Sequence, residues 1–352
     1  MPDTIDTPDA IEAVDPIDVG ARLYDGIQRD FPLTERPYQD IAERHGLCEH
    51  SLLAMLARDI GDGRISRLGA VFAPNVIGAS TLAALAVPPA MLARVARRVS
   101  NDPAVSHNYA RSGSDYNLWF VAGARDRDAL DVTLDAIAAD VELTPLDLPL
   151  EREYHIDLGF PLGETGNTGH PGHRGSQRTP SRPVARTDLD PAGWRLVAAL
   201  EDGLPLAPRP YHELARRCDM AVDAVIERLA QWQSSGLVRR FGVVLQHRRF
   251  GYGHNAMCVW DVPDGRADAL GMRLMRVPGV NLCYRRERRV PDWPYNLYAM
   301  VHARTDAQLQ AALTRFRTEC GLGSAPGLVL RGTHCYKQCG TRYASHVTLP
   351  LP

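Results

Sequence analysis

Long apolar runs are missing from this chain: none approaches the ~20 residues that a membrane-spanning helix requires. Excess positive charge is missing too. The formal net charge is -2, and general affinity for nucleic acid needs surplus Lys and Arg to displace counterions. Cysteines number seven, an odd count at irregular spacing, which excludes a disulfide framework and points to a reducing cytoplasm. There is no Gly-rich phosphate loop, no Walker motif and no nucleophile elbow. The first residues lack a basic start followed by an apolar core, so they are not read as a signal peptide. Residues 1–18 are rich in Asp and are expected to form a disordered acidic tail. What is there suits a soluble globular protein: 352 residues, 45% hydrophobic and 23% charged, enough for two or three domains.

The dominant feature is a repeat. RLYDGIQRDFPLTERPYQDIAERHG from Arg22 and RLVAALEDGLPLAPRPYHELARRCD from Arg195 share Arg-Leu, Pro-Leu and Arg-Pro-Tyr at the same spacing without a gap. ISRLGAVFAPNVIG (65–78) then matches VRRFGVVLQHRRFG (238–251). VSHNYARSGSDYNLWFVAGA (105–124) matches VNLCYRRERRVPDWPYNLYAMVHA (280–303), with a longer insert in the second copy. A self-similar period of this length means a duplicated domain-sized unit. Residues 163–187, rich in Gly, Pro, Ser and Thr, read as a linker between the copies.

Each copy shows the same order of elements. Pro at a helix start, as at Pro37 and Pro210, is preset for the first turn. Helices are expected over 17–30, 37 onward and 49–60, and again over 191–202, 210 onward and 221–234. A strand pair behind the third helix follows, and the second such pair runs from Arg239 to Trp260. The rest of each copy reads β-α-β-β-α-β, the split-βαβ pattern. The fold class is therefore α+β, a tandem repeat of helix-turn-helix and ferredoxin-like units. The boundaries are 19–78 and 79–162 for the first copy and 188–251 and 252–345 for the second.

The candidate chemistry lies on the strands. His247, Arg248, Arg249 and His254 crowd one short stretch, with Arg239 and Arg240 just before it. Arg forks suit carboxylates or phosphates. His107, Tyr109 and Arg111 alternate, so on a strand they share one face. The corresponding residues of the second copy are Leu282, Tyr284 and Arg286, with Arg285 on the other face. The insert adds more Arg together with Trp293. His302 is read as a residue of a packed sheet. Cys335 and Cys339 in HCYKQC have no second Cys or His pair at zinc spacing, so no protein-bound metal is expected. The candidate recognition helices, 48–59 and 219–233, are neutral to acidic, which argues against DNA as a partner.

Helix-turn-helix plus split-βαβ resembles the Lrp/AsnC regulators over nearly all of both copies. More narrowly, RRFGVVLQHRRFGYGHNAMCVWDVP with CYRRERRVPDWPYNLYAMVH, and VSHNYARSGSDYNLWF with LPLEREYHIDLGFPL, resemble the two subunits of siroheme decarboxylase, here fused. The resemblance implies a carboxy-lyase that removes the carboxylates of two acetate side chains of siroheme. The product would be 12,18-didecarboxysiroheme, in heme d1 or alternative heme biosynthesis. It implies no cofactor, since the iron belongs to the substrate. It also implies His107 and His247 as acid or iron ligand, and Arg111, Arg240, Arg248, Arg249, Arg285, Arg286 and Lys337 as carboxylate partners. Tyr109, Tyr284 and Trp293 become ring-contacting walls. Where the family pattern has His, this chain has Leu282, so one of two potential pockets is expected to be silent. The expected partners are the siroheme substrate and a second copy or intrachain pseudo-dimer, with neither DNA nor membrane. The competing readings are a ligand-responsive transcription regulator and a non-catalytic tetrapyrrole carrier.

Overall fold

The computed structural model describes residues 16–157, 159–162 and 184–344. The expected acidic tail lies outside these as far as residue 15, and its last residues, 16–18, belong to the first helix instead; most of the expected linker also lies outside. The first copy contains α1 (Pro16–Ile27), α2 (Pro37–Arg44), α3 (Glu49–Gly61), β1 (Ile65–Phe72), β2 (Ala79–Leu85), α4 (Leu92–Asn101), β3 (Val105–Ser112), β4 (Leu118–Ala124), α5 (Arg127–Val141) and β5 (Leu146–Ile156). The second contains α6 (Pro191–Glu201), α7 (Pro210–Cys218), α8 (Val222–Ser235), β6 (Val238–Leu245), β7 (His254–Trp260), α9 (Asp264–Leu274), β8 (Val280–Arg286), β9 (Leu297–Ala303), α10 (Asp306–Thr318) and β10 (Gly327–Gln338). Among the described residues no helix is long and apolar enough to cross a membrane.

The two copies do not sit side by side as separate domains; they close on each other. Each contributes a four-stranded antiparallel sheet, in order β3-β4-β2-β5 and β8-β9-β7-β10. The edge strands left open would be templates for pairing. Here they pair with the other copy, β5 with β8 and β10 with β3, giving a closed eight-stranded barrel. Alternation then sorts the side chains. Outward-facing Ala83, Leu85, Phe120 and Ala122 pack under α4 and α5. Outward-facing Ala256, Cys258, Ala299 and Val301 pack under α9 and α10. Inward-facing residues such as Leu82, Trp119, Leu148, Met257 and Leu330 fill the barrel.

The helix-turn-helix units also form one body. Their buried residues make a single cluster that includes Leu23, Tyr38 and Leu52 of one copy and Trp194, Tyr211 and Leu229 of the other. The repeated Arg-Pro-Tyr and Pro-Leu motifs meet here. Tyr38 donates to the Pro205 carbonyl (2.9 Å) and Tyr211 donates to the Pro32 carbonyl (2.7 Å). Each motif thus supplies a donor to the other copy and an acceptor in return, as an isologous interface requires. The chain is an intrachain pseudo-dimer.

The strand pairs expected behind each third helix form differently. β1 pairs with β6 across the pseudo-twofold axis, with Gly69 opposite Gly242, and neither pairs with the strand that follows it. Gly242 is required there: a Cβ would run into the carbonyl oxygens of Ile27 and Gln28. The two-stranded β1–β6 sheet lies over one mouth of the barrel. At the other end, Trp293 closes the barrel against Tyr116, Trp119 and Tyr295, with ring centroids 5.7, 5.2 and 4.8 Å away.

Candidate active site

Between the β1–β6 sheet and the barrel mouth lies a chamber lined by both copies. The face predicted for β3 forms: His107 and Tyr109 have ring centroids 6.2 Å apart, and the Arg111 guanidinium lies 5.6 Å over the Tyr109 ring. Asn108, on the opposite face, binds the Ala96 carbonyl of α4 (2.9 Å). His107, Tyr109 and Tyr284 are deep in the molecule yet keep part of their surface accessible. They line a space.

His247 and Arg248 reach this space from an unexpected conformation. His247–Phe250 form a short 3-10 turn capped by left-handed Gly251; they are not strand residues. The turn lies at the head of β7 and carries both side chains over the chamber. His247 is 6% exposed. It stacks on Phe160 (5.1 Å) and meets the edge of His302 (4.5 Å). Its Nε2, and Nε and Nη2 of Arg248, are buried without a hydrogen-bond partner among the described residues. A buried, unpaired donor or acceptor costs about 1–3 kcal/mol, and such groups mark a site built to meet a ligand.

The electrostatics are one-sided. Burial, and then the charge of Arg67, push the His107 imidazole down to about 4. Burial, then Arg248, His107 and Arg111, push His247 down to about 4. His302 falls well below its ordinary value for the same kinds of reason, and its Nδ1 shares a hydrogen bond with Asn281 Oδ1 (3.1 Å). At neutral pH all three imidazoles are uncharged. Among the described residues Arg111 finds only neutral partners, the Leu330 carbonyl (3.3 Å), Asn255 Oδ1 (3.5 Å) and Met300 Sδ (3.7 Å). Among the described residues no carboxylate pairs with Arg67, Arg111 or Arg248. Such a cluster of cations and neutral imidazoles is complementary to a flat polyanion.

The other nominated residues are placed as follows. Arg240 is buried below this sheet and is held down to about 10, by burial first and against the pull of Asp157. Arg286 lies in the barrel over Tyr284 (4.8 Å) and donates to the Leu148 carbonyl (2.6 Å). Arg249 and His254 are exposed. Three residues are engaged elsewhere. Lys337 donates to the carbonyls of Ser100 and Asp102 (2.8 Å each), completing the C-terminal end of α4. Arg285 points outward to Glu151 (2.5 Å). Trp293 is 1% exposed in the plug at the far end of the barrel. Conversely, Arg67, Phe160 and His302 belong to the chamber. The alternation Tyr298, Met300, His302 along β9 was the signal available for His302; Phe160 carried none. No group of three His, Cys, Asp or Glu among the described residues is arranged to hold a metal ion.

Comparison with known proteins follows the same division. A model of the siroheme decarboxylase NirDL-like HTH domain matches residues 22–65 and 194–239. A model of the AsnC-like ligand binding domain matches 77–155 and 249–337. The siroheme decarboxylase NirDL subunit of Paracoccus pantotrophus is 41% identical over 92% of this chain and 96% of its own length. The separate siroheme decarboxylase NirL and NirD subunits of Stutzerimonas stutzeri are 47% and 49% identical over 43% and 41% of this chain, covering 88% and 93% of themselves. A solved structure of a siroheme decarboxylase NirDL, in complex with an iron-uroporphyrin III analogue, has the same fold. Its TM-score is 0.65 at 24% identity, and the match covers 93% of this chain and 95% of that one.

Proposed function

We propose a function from one premise: the chain belongs to the siroheme decarboxylase family, in its fused NirDL form. It is a carboxy-lyase acting on siroheme. The observation that carries the reading to this site is the chamber itself, with three neutral imidazoles and arginines that have no carboxylate partner among the described residues. A macrocycle rimmed with carboxylates supplies what these groups lack. In our reading Arg111, Arg248 and Arg67 hold its rim, and Tyr109 and Phe160 border its faces.

The reaction breaks the bond between the acetate methylene and its carboxylate. Carbon dioxide leaves, the electron pair passes into the conjugated ring, and a proton completes the methyl group. His107 and His247 face the ring, and the one that is not on the iron delivers this proton. Neither holds a proton in the free site near pH 7, so the substrate must change that. Its carboxylates bring negative charge beside both imidazoles, which raises their pKa. The substrate thereby charges its own acid. No further cofactor enters this scheme. The product is didecarboxysiroheme for heme d1 biosynthesis in the cytoplasm. His107→Ala and His247→Ala should each abolish turnover. Full activity in His107→Ala alongside a dead His247 variant would remove the first copy's strand β3 from the chemistry.

A further inference from the structure

The pseudo-twofold axis gives every chamber residue a counterpart, and the counterparts differ in a consistent way. One sector is formed by β3 together with β10, β7 and β9. The related sector is formed by β8 together with β5, β2 and β4. Shared parts survive: Arg111 over Tyr109 bound to Leu330, and Arg286 over Tyr284 bound to Leu148. The imidazoles do not. His107, His247 and His302 correspond to Leu282, Pro74 and Gly123. The space beside Gly123 is taken, since a Cβ there would meet the Thr341 side chain.

The charges differ as well. Cys335 stands opposite Tyr109 in the first sector, and Glu153 stands opposite Tyr284 in the second. Ser66 of β1 corresponds to Arg239 of β6. The neutral Ser66 and Cys335 are thus replaced by an ion pair, Arg239–Glu153 at 3.4 Å, with side chains only 19% and 10% exposed. Cys339 corresponds to Asp157, which binds Arg29 (2.5 Å). Burial opposes the charge of Asp157, but Arg29 beside it holds the carboxyl below its usual range. Asp157 also acts on Arg240, the counterpart of Arg67.

We propose that the second sector is closed to substrate by the protein's own carboxylates, with Glu153 on Arg239 and Asp157 on Arg29 and beside Arg240 standing where the carboxylates of a second macrocycle would lie. One chain then takes one macrocycle, and both acetates are processed in the histidine sector. This rests on the function proposed above. Leaving a charged Arg unpaired in a buried place is unfavourable, so the protein's own carboxylates keep the second sector stable and unavailable.

The test is an anaerobic spectral titration of the full chain with siroheme. Wild type should saturate at one equivalent. The double variant Glu153→Gln/Asp157→Asn should gain a second, weaker equivalent. Arg239→Ala/Glu153→Ala, which removes the pair without changing net charge, should stay at one. Two equivalents in wild type would overturn the inference. So would a folded Glu153→Gln/Asp157→Asn variant that remains at one equivalent, or a second equivalent in the charge-neutral variant. No binding by wild type would remove the function reading itself, and this inference with it.

Discussion

Lowering the pH from 7 to 5 should destabilise this protein through His247, and the size of the effect follows from the chamber. In the unfolded chain the imidazole takes its proton near pH 6.5. In the folded protein burial, then Arg248, His107 and Arg111, delay protonation to about 4. Between these values the unfolded state binds more protons, so stability falls as pH falls and levels off below about 4. From pH 7 to 5 the loss for one such group is about 2 kcal/mol at roughly 1.4 kcal/mol per pH unit. His107 acts in the same direction, and because the two imidazoles influence each other their losses are not additive. The assay is urea unfolding of wild type and His247→Gln at both pH values. Wild type should lose about 2 kcal/mol more than the variant between pH 7 and 5. Equal losses, within a few tenths of a kcal/mol, would refute the claim that His247 is held neutral in a cationic chamber.

Other consequences concern substrate binding and the helix interface. Arg248→Ala should weaken siroheme binding by roughly tenfold or more, the equivalent of a charge-assisted hydrogen bond. Lys337→Ala should leave binding unchanged and cost about 0.5–1 kcal/mol of stability through the end of α4; spectral titration and urea unfolding separate the two. Siroheme binding should take up protons, because the substrate raises the pKa of imidazoles that are neutral beforehand. Calorimetry in buffers of different ionisation enthalpy would detect the uptake, and a buffer-independent heat would contradict it. Tyr38→Phe and Tyr211→Phe should each destabilise by about 1 kcal/mol, and a marked difference between them would count against the pseudo-twofold helix interface.

Much of this architecture was legible in the sequence because the repeat carries it. Pro37 and Pro210 mark equivalent helix starts, and the β-α-β-β-α-β order read for the rest of each copy is the order in which the elements form. The repeat did not reveal what each copy pairs with. β1 seeks β6, β5 seeks β8 and β10 seeks β3, and strand edges leave no local mark of their partner. That one fact relocates several side chains. His247 and Arg248 reach the chamber from a 3-10 turn, because β6 ends at the sheet over the barrel mouth and the chain must cross to β7. Lys337 ends beside α4, because β10 lies against β3 of the other copy. Phe160 enters the site only through the segment that follows β5 across to the second copy. The alternation His107, Tyr109, Arg111 was readable because it needs nothing but the strand period.

The central claim is that this chamber decarboxylates siroheme. Its most direct test is anaerobic incubation of the purified chain with siroheme, followed by mass spectrometry of the extracted tetrapyrrole. The account predicts loss of carbon dioxide from both acetates, and no loss in His107→Ala or His247→Ala. A shifted absorption spectrum with unchanged ligand mass would contradict it and make the protein a tetrapyrrole carrier.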